Sequence, residues 1–213
     1  NFFKSLNIVN VSKLELLHDP IIHTRHLAKM KNEKLVKSDE FYLSIGRFTK
    51  QKNFFFLIKC FETICKRDQN AKLFILGDGE QRKKFIKYLK KKNLQNNIYL
   101  PGYVNNVHKY LSNCKLFILS SLWEDPGFVL IEAMFSRALV FSSDCSSGPK
   151  EIVGNDKGVL FKNNSQLDFI EKFNLINSIS RDEKYRKMVN AKKFIKKFTL
   201  PYHYKNLSKV IYD

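Results

Sequence analysis

The stretch from Trp123 to Glu132, followed by Ala133, carries the residues best suited to chemistry. It reads Glu124-Asp-Pro-Gly-Phe-Val-Leu-Ile-Glu132 and follows an apolar run ending at Ser120. Asp125 is a favourable N-cap and Pro126 a favourable first helical residue, so a helix is expected over Pro126–Ser136. Gly127 lets another group come close to the backbone. The N–H groups of Gly127, Phe128 and Val129 would then point out of the helix end and, with the helix dipole, suit a phosphate. Glu132 lies about two turns in, with its side chain leaning back toward that end. A carboxylate there can accept two hydrogen bonds from a vicinal diol such as ribose, and Glu124 can do the same for a hexose. The plain alternative is a capped helix with one charge near each end.

Arg47 and Lys52 stand in Gly46-Arg-Phe-Thr-Lys-Gln-Lys52, directly after another apolar run. A guanidinium and an ammonium at an open strand end suit a diphosphate; the plain alternative is one more basic loop. Gly77-Asp-Gly79 hints at a dinucleotide fingerprint, but Arg82 stands where a third glycine would be needed. It reads instead as a tight turn bringing backbone near a ligand. Ser143–Glu151 is a turn-rich loop, read as connection more than as pocket wall. The five histidines have no Cys, Asp or Glu at metal-ligand spacing, and no metal is expected. No Walker A loop or Gly-x-Ser-x-Gly elbow is present.

These residues need a frame. From Phe41 onward, short apolar runs alternate with amphipathic stretches. Strands are expected over Phe41–Gly46, Ala71–Gly77, Ile98–Leu100, Lys115–Ser120, Ala138–Ser142 and Gly158–Phe161. Helices are expected over Asn53–Arg67, Glu80–Lys92 (Phe85, Ile86 and Leu89 inward), Asn105–Asn113, Pro126–Ser136, Gln166–Ser178, Arg181–Lys197 and, after Pro201, Tyr202–Ile211. A helix-like start at Phe2–Ile8 and a strand-like run at Leu14–Leu17 precede them. Continuous apolar strands alternating with helices give an α/β, Rossmann-like, doubly wound parallel sheet covered on both faces. Ligands in such sheets lie beyond the carboxyl ends of the strands. The functional loops are therefore those opening at Gly46, Gly77, Gly102, Ser120 and Ser143.

Composition sets the limits. The chain has 213 residues, 44% of them hydrophobic and nineteen of them phenylalanine, enough for one well-filled core. No apolar run reaches the roughly 18 to 20 residues that span a bilayer, and no signal peptide is read at Asn1. Four scattered cysteines read as reduced thiols of a cytoplasmic protein. The net charge of +18 is read first as solvated lysine faces; an anionic ligand, an anionic membrane surface or nucleic acid are the sharper readings. Two basic runs stand out, Arg82–Lys92 and Lys192–Lys197, each with apolar residues interleaved.

In order and spacing, Gly46-Arg47 with Gln51-Lys52, Ile75-Leu-Gly77-Asp-Gly79, Gly102, Glu124 with Glu132-Ala133-Met134, and Ser143-Asp144 with Gly148-Pro-Lys-Glu151 resemble the carboxyl-terminal domain of retaining GT-B glycosyltransferases of family 4, the "group 1" enzymes. The resemblance covers about residues 12 to 213. It implies one half of a GT-B fold, in which Arg47 and Lys52 neutralise the donor diphosphate and the leaving group, and with Glu124 form the catalytic set. It implies that Glu132 holds the ribose, that Glu124 touches the sugar, and that the Gly127, Phe128 and Val129 backbone binds phosphate or sugar hydroxyls. Gly46 and Gly77 border the donor, and Gly102, Tyr103 and Val104 lie along the base.

The same resemblance implies three segments. Residues 1–20 are the trailing end of an amino-terminal domain and the crossing from it, 21–200 the donor-binding domain, and 201–213 a helix packing back on the other domain. That other domain would carry the acceptor site, so this chain alone is expected to bind donor and to transfer little. The donor expected is a nucleotide-diphosphate sugar, UDP-linked first, with GDP-sugars open. The acceptor expected is a glycan or lipid-linked precursor of cell-surface polysaccharide or glycolipid. No cofactor is expected, and work at the inner face of a membrane is. His18-Asp19 where Asn is usual, and Asp125-Pro126 where Gly-Phe is commoner, depart from the family pattern. The alternatives weighed are a non-catalytic nucleic-acid-binding module, suggested by charge but lacking a recognisable module, and an epimerase, which needs acid and base groups not found here.

Overall fold

Strand β1 (Phe41–Ile45) is buried along most of its length, as an apolar run between two covered faces must be. It pairs in parallel with β2 (Lys72–Leu76) on one side and β4 (Leu116–Leu119) on the other. With β3 (Ile98–Gly102), β5 (Val140–Asp144) and β6 (Val159–Lys162) the order is β3-β2-β1-β4-β5-β6, every pair parallel. The chain winds outward one way from β1 and the other way from β4. The order therefore reverses between these two strands, and their diverging loops leave a crevice at the carboxyl ends.

The structure is a computed structural model that describes residues 16–23 and 40–212. The expected start at Phe2–Ile8 and the first part of Leu14–Leu17 lie outside them; Leu16 and Leu17 have no regular structure. The described residues fall into two units, 40–195 and 16–23 with 196–212.

In the larger unit, the helices are α1 (Phe54–Cys65), α2 (Arg82–Lys91), α3 (Val107–Leu111), α4 (Phe128–Phe135), α5 (Pro149–Val153), α6 (Gln166–Ser178) and α7 (Arg181–Phe194). Helix α1 buries Phe54, Leu57, Ile58, Phe61 and Ile64, the face its helical spacing marks, and touches α6. Helix α4 meets α3, α5 and α7. Phenylalanines fill the layer under α1 and α6. The rings of Phe141, Phe161 and Phe169 lie 4.6 to 5.1 Å apart, and Phe48 reaches Phe54 and Phe85 at 5.6 and 5.3 Å. Aromatic pairs at such distances add to the area they bury.

Two helix expectations change. Ile86, expected inward, stands 38% exposed on α2, whose buried residues are Phe85 and Leu89. Residue 86 lies about 100° round the helix from Phe85, past the edge of the core stripe. The helix from Arg181 ends at Phe194 and tightens into a 3-10 turn over Ile195–Phe198.

In the smaller unit, Ile22 forms a parallel bridge with Thr199 and donates its N–H to the Phe198 carbonyl at 3.0 Å. The His18 ring lies 4.7 Å from that of Phe198. Helix α8 (Leu200–Tyr212) takes Pro201 into its first turn, where a missing N–H costs nothing. Among the described residues no helix is long and apolar enough to cross a membrane.

Candidate functional site

The loop leaving β1 is built on backbone contacts. Gly46 and Phe48 donate N–H to the carbonyls of Leu76 and Asp78, at 3.0 and 2.8 Å, and Gln81 donates back to Phe48 at 3.1 Å. A Cβ on Gly77 would fall 2.0 Å from the Gly46 oxygen, and one on Gly79 2.8 Å from the Phe48 nitrogen. Gly77-Asp-Gly79 thus lets two loops of the protein meet. Backbone of the loop Gly46–Phe48 fills the space that the missing side chains of Gly77 and Gly79 leave, while Gly77 still lines the cavity that Arg47 borders. Gly46 serves Lys52 likewise, since its Cβ would stand 3.1 to 3.2 Å from the lysine stem.

The same loop is then tied to the exit of β4. Leu122 donates N–H to the Gln51 carbonyl at 2.8 Å, and Ser120 Oγ donates to the Lys52 carbonyl at 2.9 Å. Lys52 Nζ reaches Glu124 Oε1 at 2.6 Å, with the two side chains only 15% and 5% exposed. Ser121 Oγ donates to the same oxygen at 2.5 Å, and the Ser121 carbonyl accepts from Ser143 Oγ at 2.7 Å. Glu124 is thus a buried carboxylate with a cation and a hydroxyl on one oxygen.

The entry to α4 differs from the expectation. Asp125 is not the N-cap and Pro126 is not helical. The Asp125–Pro126 peptide is cis, and the cap is Gly127, in the left-handed conformation (φ 90°) with no side-chain cap bond. Only glycine turns cheaply into a helix that way. The tight seat of this turn settles the matter: a Cβ on Gly148 would sit 1.8 Å from the Pro126 oxygen. The loop Ser143–Glu151, expected to be mainly connection, therefore packs directly against the entrance to α4. It also bridges Trp123 through Ser146. The N–H groups of Phe128 and Val129 have no acceptor among the described residues, as expected at a helix start.

Glu132 sits on α4 in an environment unlike that of Glu124. It is half-buried, and no hydrogen bond or ion pair reaches its carboxylate among the described residues. Burial alone pushes its carboxyl above the usual range. Arg47 is exposed and free of any ion pair among the described residues. It borders a mostly apolar cavity of about 340 Å³ whose lining also includes Gly46, Gly77, Asp78, Tyr103 and Val104. Tyr103 is 84% exposed at its rim, and Gly102, with φ 89°, turns the chain out of β3 while its carbonyl accepts the Gly77 N–H. A larger cavity, about 410 Å³, opens beside Tyr42 and Lys72, away from these loops. It holds its own ion pair, Lys115 with Glu40 at 2.9 Å.

The structure thus brings Gly46, Arg47, Lys52, Gly77, Gly102, Tyr103, Val104, Glu124, Gly127, Phe128, Val129 and Glu132 to the loops and helix start at one end of the sheet. Sequence reasoning missed Ser121, and it marked Gln51, Ser120, Ser143 and Gly148 only as motif residues or loop openings, without the contacts they make. The available signal was a set of serines closing apolar strands, where a hydroxyl needs a buried partner. Among the described residues no three His, Cys, Asp or Glu side chains gather at metal-binding distance. The four cysteines are unbridged, and burial pushes the Cys60 thiol up to about 12.

Such a frame, with cations, a helix start and a carboxylate around the β1–β4 crevice, defines a doubly wound ligand-binding domain of the Rossmann-like class. The chain belongs to the group 1 glycosyl transferases, whose family model matches residues 27–194. It is 37% identical over 147 residues to an uncharacterized glycosyltransferase of Methanocaldococcus jannaschii, covering 69% of this chain and 35% of that one. It is 30% identical over 185 residues to the N-acetylgalactosamine-N,N'-diacetylbacillosaminyl-diphospho-undecaprenol 4-alpha-N-acetylgalactosaminyltransferase of Campylobacter jejuni, covering 86% and 49%. Among solved structures it matches Staphylococcus aureus TarM, crystallised with alpha-GlcNAc-glycerol and UDP, at TM-score 0.71 and 26% identity over 86% of this chain and 38% of that one. The chain therefore spans about a third to a half of these relatives.

Proposed function

We propose that this chain is the donor-binding domain of a retaining, metal-independent glycosyltransferase. It uses a nucleotide-diphosphate sugar, UDP-linked, and serves transfer of a hexose or N-acetylhexosamine to a glycan or lipid-linked acceptor in cell-surface polysaccharide or glycolipid synthesis, on the cytoplasmic side of a membrane. The observation that carries the reading is the meeting of the β1 loop and the α4 entrance where strand order reverses, measured by Lys52 Nζ at 2.6 Å from Glu124. Support for UDP comes from the TarM complex, and for a lipid diphosphate acceptor from the Campylobacter relative's name.

In this reading the base lies in the cavity edged by Gly46, Gly77, Tyr103 and Val104, with Gly102 next to it in the chain. Glu132 accepts from the ribose diol, which supplies the partners its carboxylate lacks. The diphosphate rests against the N–H groups of Gly127, Phe128 and Val129. When the bond from the anomeric carbon to the diphosphate breaks, its electron pair leaves with the nucleotide. Arg47 and Lys52 then stabilise the charge that grows there, a role a metal ion fills elsewhere. Glu124 orients Lys52 through one oxygen and offers the other to a sugar hydroxyl.

Calorimetric titration with UDP, GDP and ADP tests this, with Glu132→Ala and Arg47→Ala as controls. Wild type should bind UDP, and both variants should bind it at least tenfold more weakly. Equal binding by wild type and both variants would overturn the site.

A further inference from the structure

We propose that the outer face of α2, with the edge strand β3 beside it, docks this domain on an anionic lipid bilayer. The starting point is a contrast between the two basic runs. In Lys192–Lys197 the interleaved apolar residues turn inward: Ile195 is buried, as is Phe198 just beyond, and the Phe194 ring lies under Lys157 Nζ at 4.9 Å. Those lysines are a solvated rim over a core. Helix α2 also buries two residues, Phe85 and Leu89, yet keeps an aliphatic side chain, Ile86, on its outside. At 100° per residue, Ile86, Lys90, Lys83 and Lys87 follow one another round about 100° of the helix, a continuous stripe with one apolar member.

Nothing acidic neutralises that stripe. Glu62 is engaged behind the helix by Lys92 at 3.0 Å and by the Tyr88 hydroxyl at 2.6 Å. Asp78 faces Arg82 at 3.7 Å, and Lys84 lies over the Phe55 ring at 4.2 Å. Glu80, one turn before the stripe, is the acid nearest to it in sequence. Lys83, Lys87, Lys90 and Lys91 are exposed and have no carboxylate partner among the described residues. Beside Ile86 a shallow groove of about 240 Å³ runs between α2 and β3, with Leu89, Tyr99 and Leu100 in its floor and walls. Strand β3 is an end strand of the sheet, so among the described residues no further strand covers this groove.

Lysine stems with an aliphatic residue among them can seat Ile86 at the acyl boundary while the ammonium groups meet phosphates. A nucleic acid would use the charge and leave Ile86 without a role, so the bilayer is the occupant that accounts for both features. This surface does not use the nucleotide site, so its failure and that of the proposed function are separable.

The experiment is flotation of the protein with vesicles of phosphatidylcholine alone and of phosphatidylcholine mixed with phosphatidylglycerol, at physiological salt. Three variants are compared with wild type. One is Lys83→Glu/Lys87→Glu/Lys90→Glu, one is the charge-matched Lys192→Glu/Lys193→Glu/Lys196→Glu, and one is Ile86→Ser. Far-UV circular dichroism and UDP titration of each show that the fold stands. Wild type should float only with the anionic vesicles. At about fivefold per lysine the α2 triple should lose at least 100-fold in partitioning. The charge-matched triple should lose less than a tenth as much, and Ile86→Ser a few-fold at unchanged salt dependence. Equal losses in the two triples would show general charge attraction and overturn the proposal. So would wild type that ignores phosphatidylglycerol, or that binds DNA tightly and vesicles not at all.

Discussion

Two carboxylates on one short segment, Glu124 and Glu132, have opposite surroundings. Glu124 is 5% exposed and holds an ammonium and a hydroxyl on one oxygen, at 2.6 and 2.5 Å. Glu132 is half-buried with no donor on its carboxylate, and burial lifts its pKa. The cations divide the same way: Lys52 is paired, and Arg47 has no ion pair among the described residues. One half of the site is already satisfied within the protein, so it adds to stability whatever it does for the donor. The other carries a carboxylate and a guanidinium with no partner among the described residues, the groups that the proposed donor would meet. The first half should therefore answer to stability measurements and the second to binding measurements.

The largest effect expected is that of Lys52→Ala. It strands Glu124 among buried serines, and removing one partner of a buried pair costs roughly 3 kcal/mol. Urea unfolding should show that loss. Lys52→Met with Glu124→Gln should restore most of it, since no buried charge then remains. A cost below about 1 kcal/mol for Lys52→Ala would place the pair with ordinary surface bridges and erase the contrast.

Next is Glu132→Gln, expected to weaken UDP about 10- to 100-fold, the range for lost hydrogen bonds to a charged group. Wild type should prefer UDP to its 2'-deoxy analogue, and the variant should lose that preference. Stability should move the other way. A carboxyl whose folded pKa lies above its unfolded value binds protons more readily in the native state. Wild type therefore loses stability as pH rises from the ordinary carboxylate range through the raised pKa, and the variant loses that slope. A wild-type pH profile identical to that of Glu132→Gln would mean that Glu132 has a partner in solution. Smaller still, Arg47→Ala should leave stability within about 0.5 kcal/mol. It should weaken UDP about tenfold and leave uridine unchanged, because the guanidinium serves the diphosphate. Equal loss for uridine would move Arg47 to the base.

How much of this was legible beforehand follows the range of the forces involved. The strands at Phe41–Ile45 and Leu116–Leu119 are runs that only a covered sheet can bury, so the loops carrying Arg47, Lys52 and Glu124, and the helix carrying Glu132, could be placed at the carboxyl ends of its strands. The partner of Lys52 could not be read, because it lies 72 residues away and both groups look like ligand contacts in isolation. The start of α4 was misread for a related reason. Asp125-Pro126 is a strong local signal, but the turn must also clear Gly148, whose absent side chain leaves room for the Pro126 carbonyl. Gly77-Asp-Gly79 reads as a tight turn near a ligand; that the same glycines admit the backbone of Gly46 and Phe48 could not be read, because sequence cannot say which backbone comes near.

Ser121→Ala tests the satisfied half most finely. Its hydroxyl gives Glu124 a second donor, while its carbonyl accepts from Ser143 and is untouched by the change. Only one hydrogen bond is lost and Lys52 remains, so the cost should be about 1 kcal/mol, a third of that for Lys52→Ala. The double variant should lose more than the sum of the two single losses, because the carboxylate is left with neither donor. If Ser121→Ala alone costs as much as Lys52→Ala, the serine holds the carboxylate and the lysine merely lies beside it. Lys52 would then serve the diphosphate alone, as Arg47 does, with no share in stability.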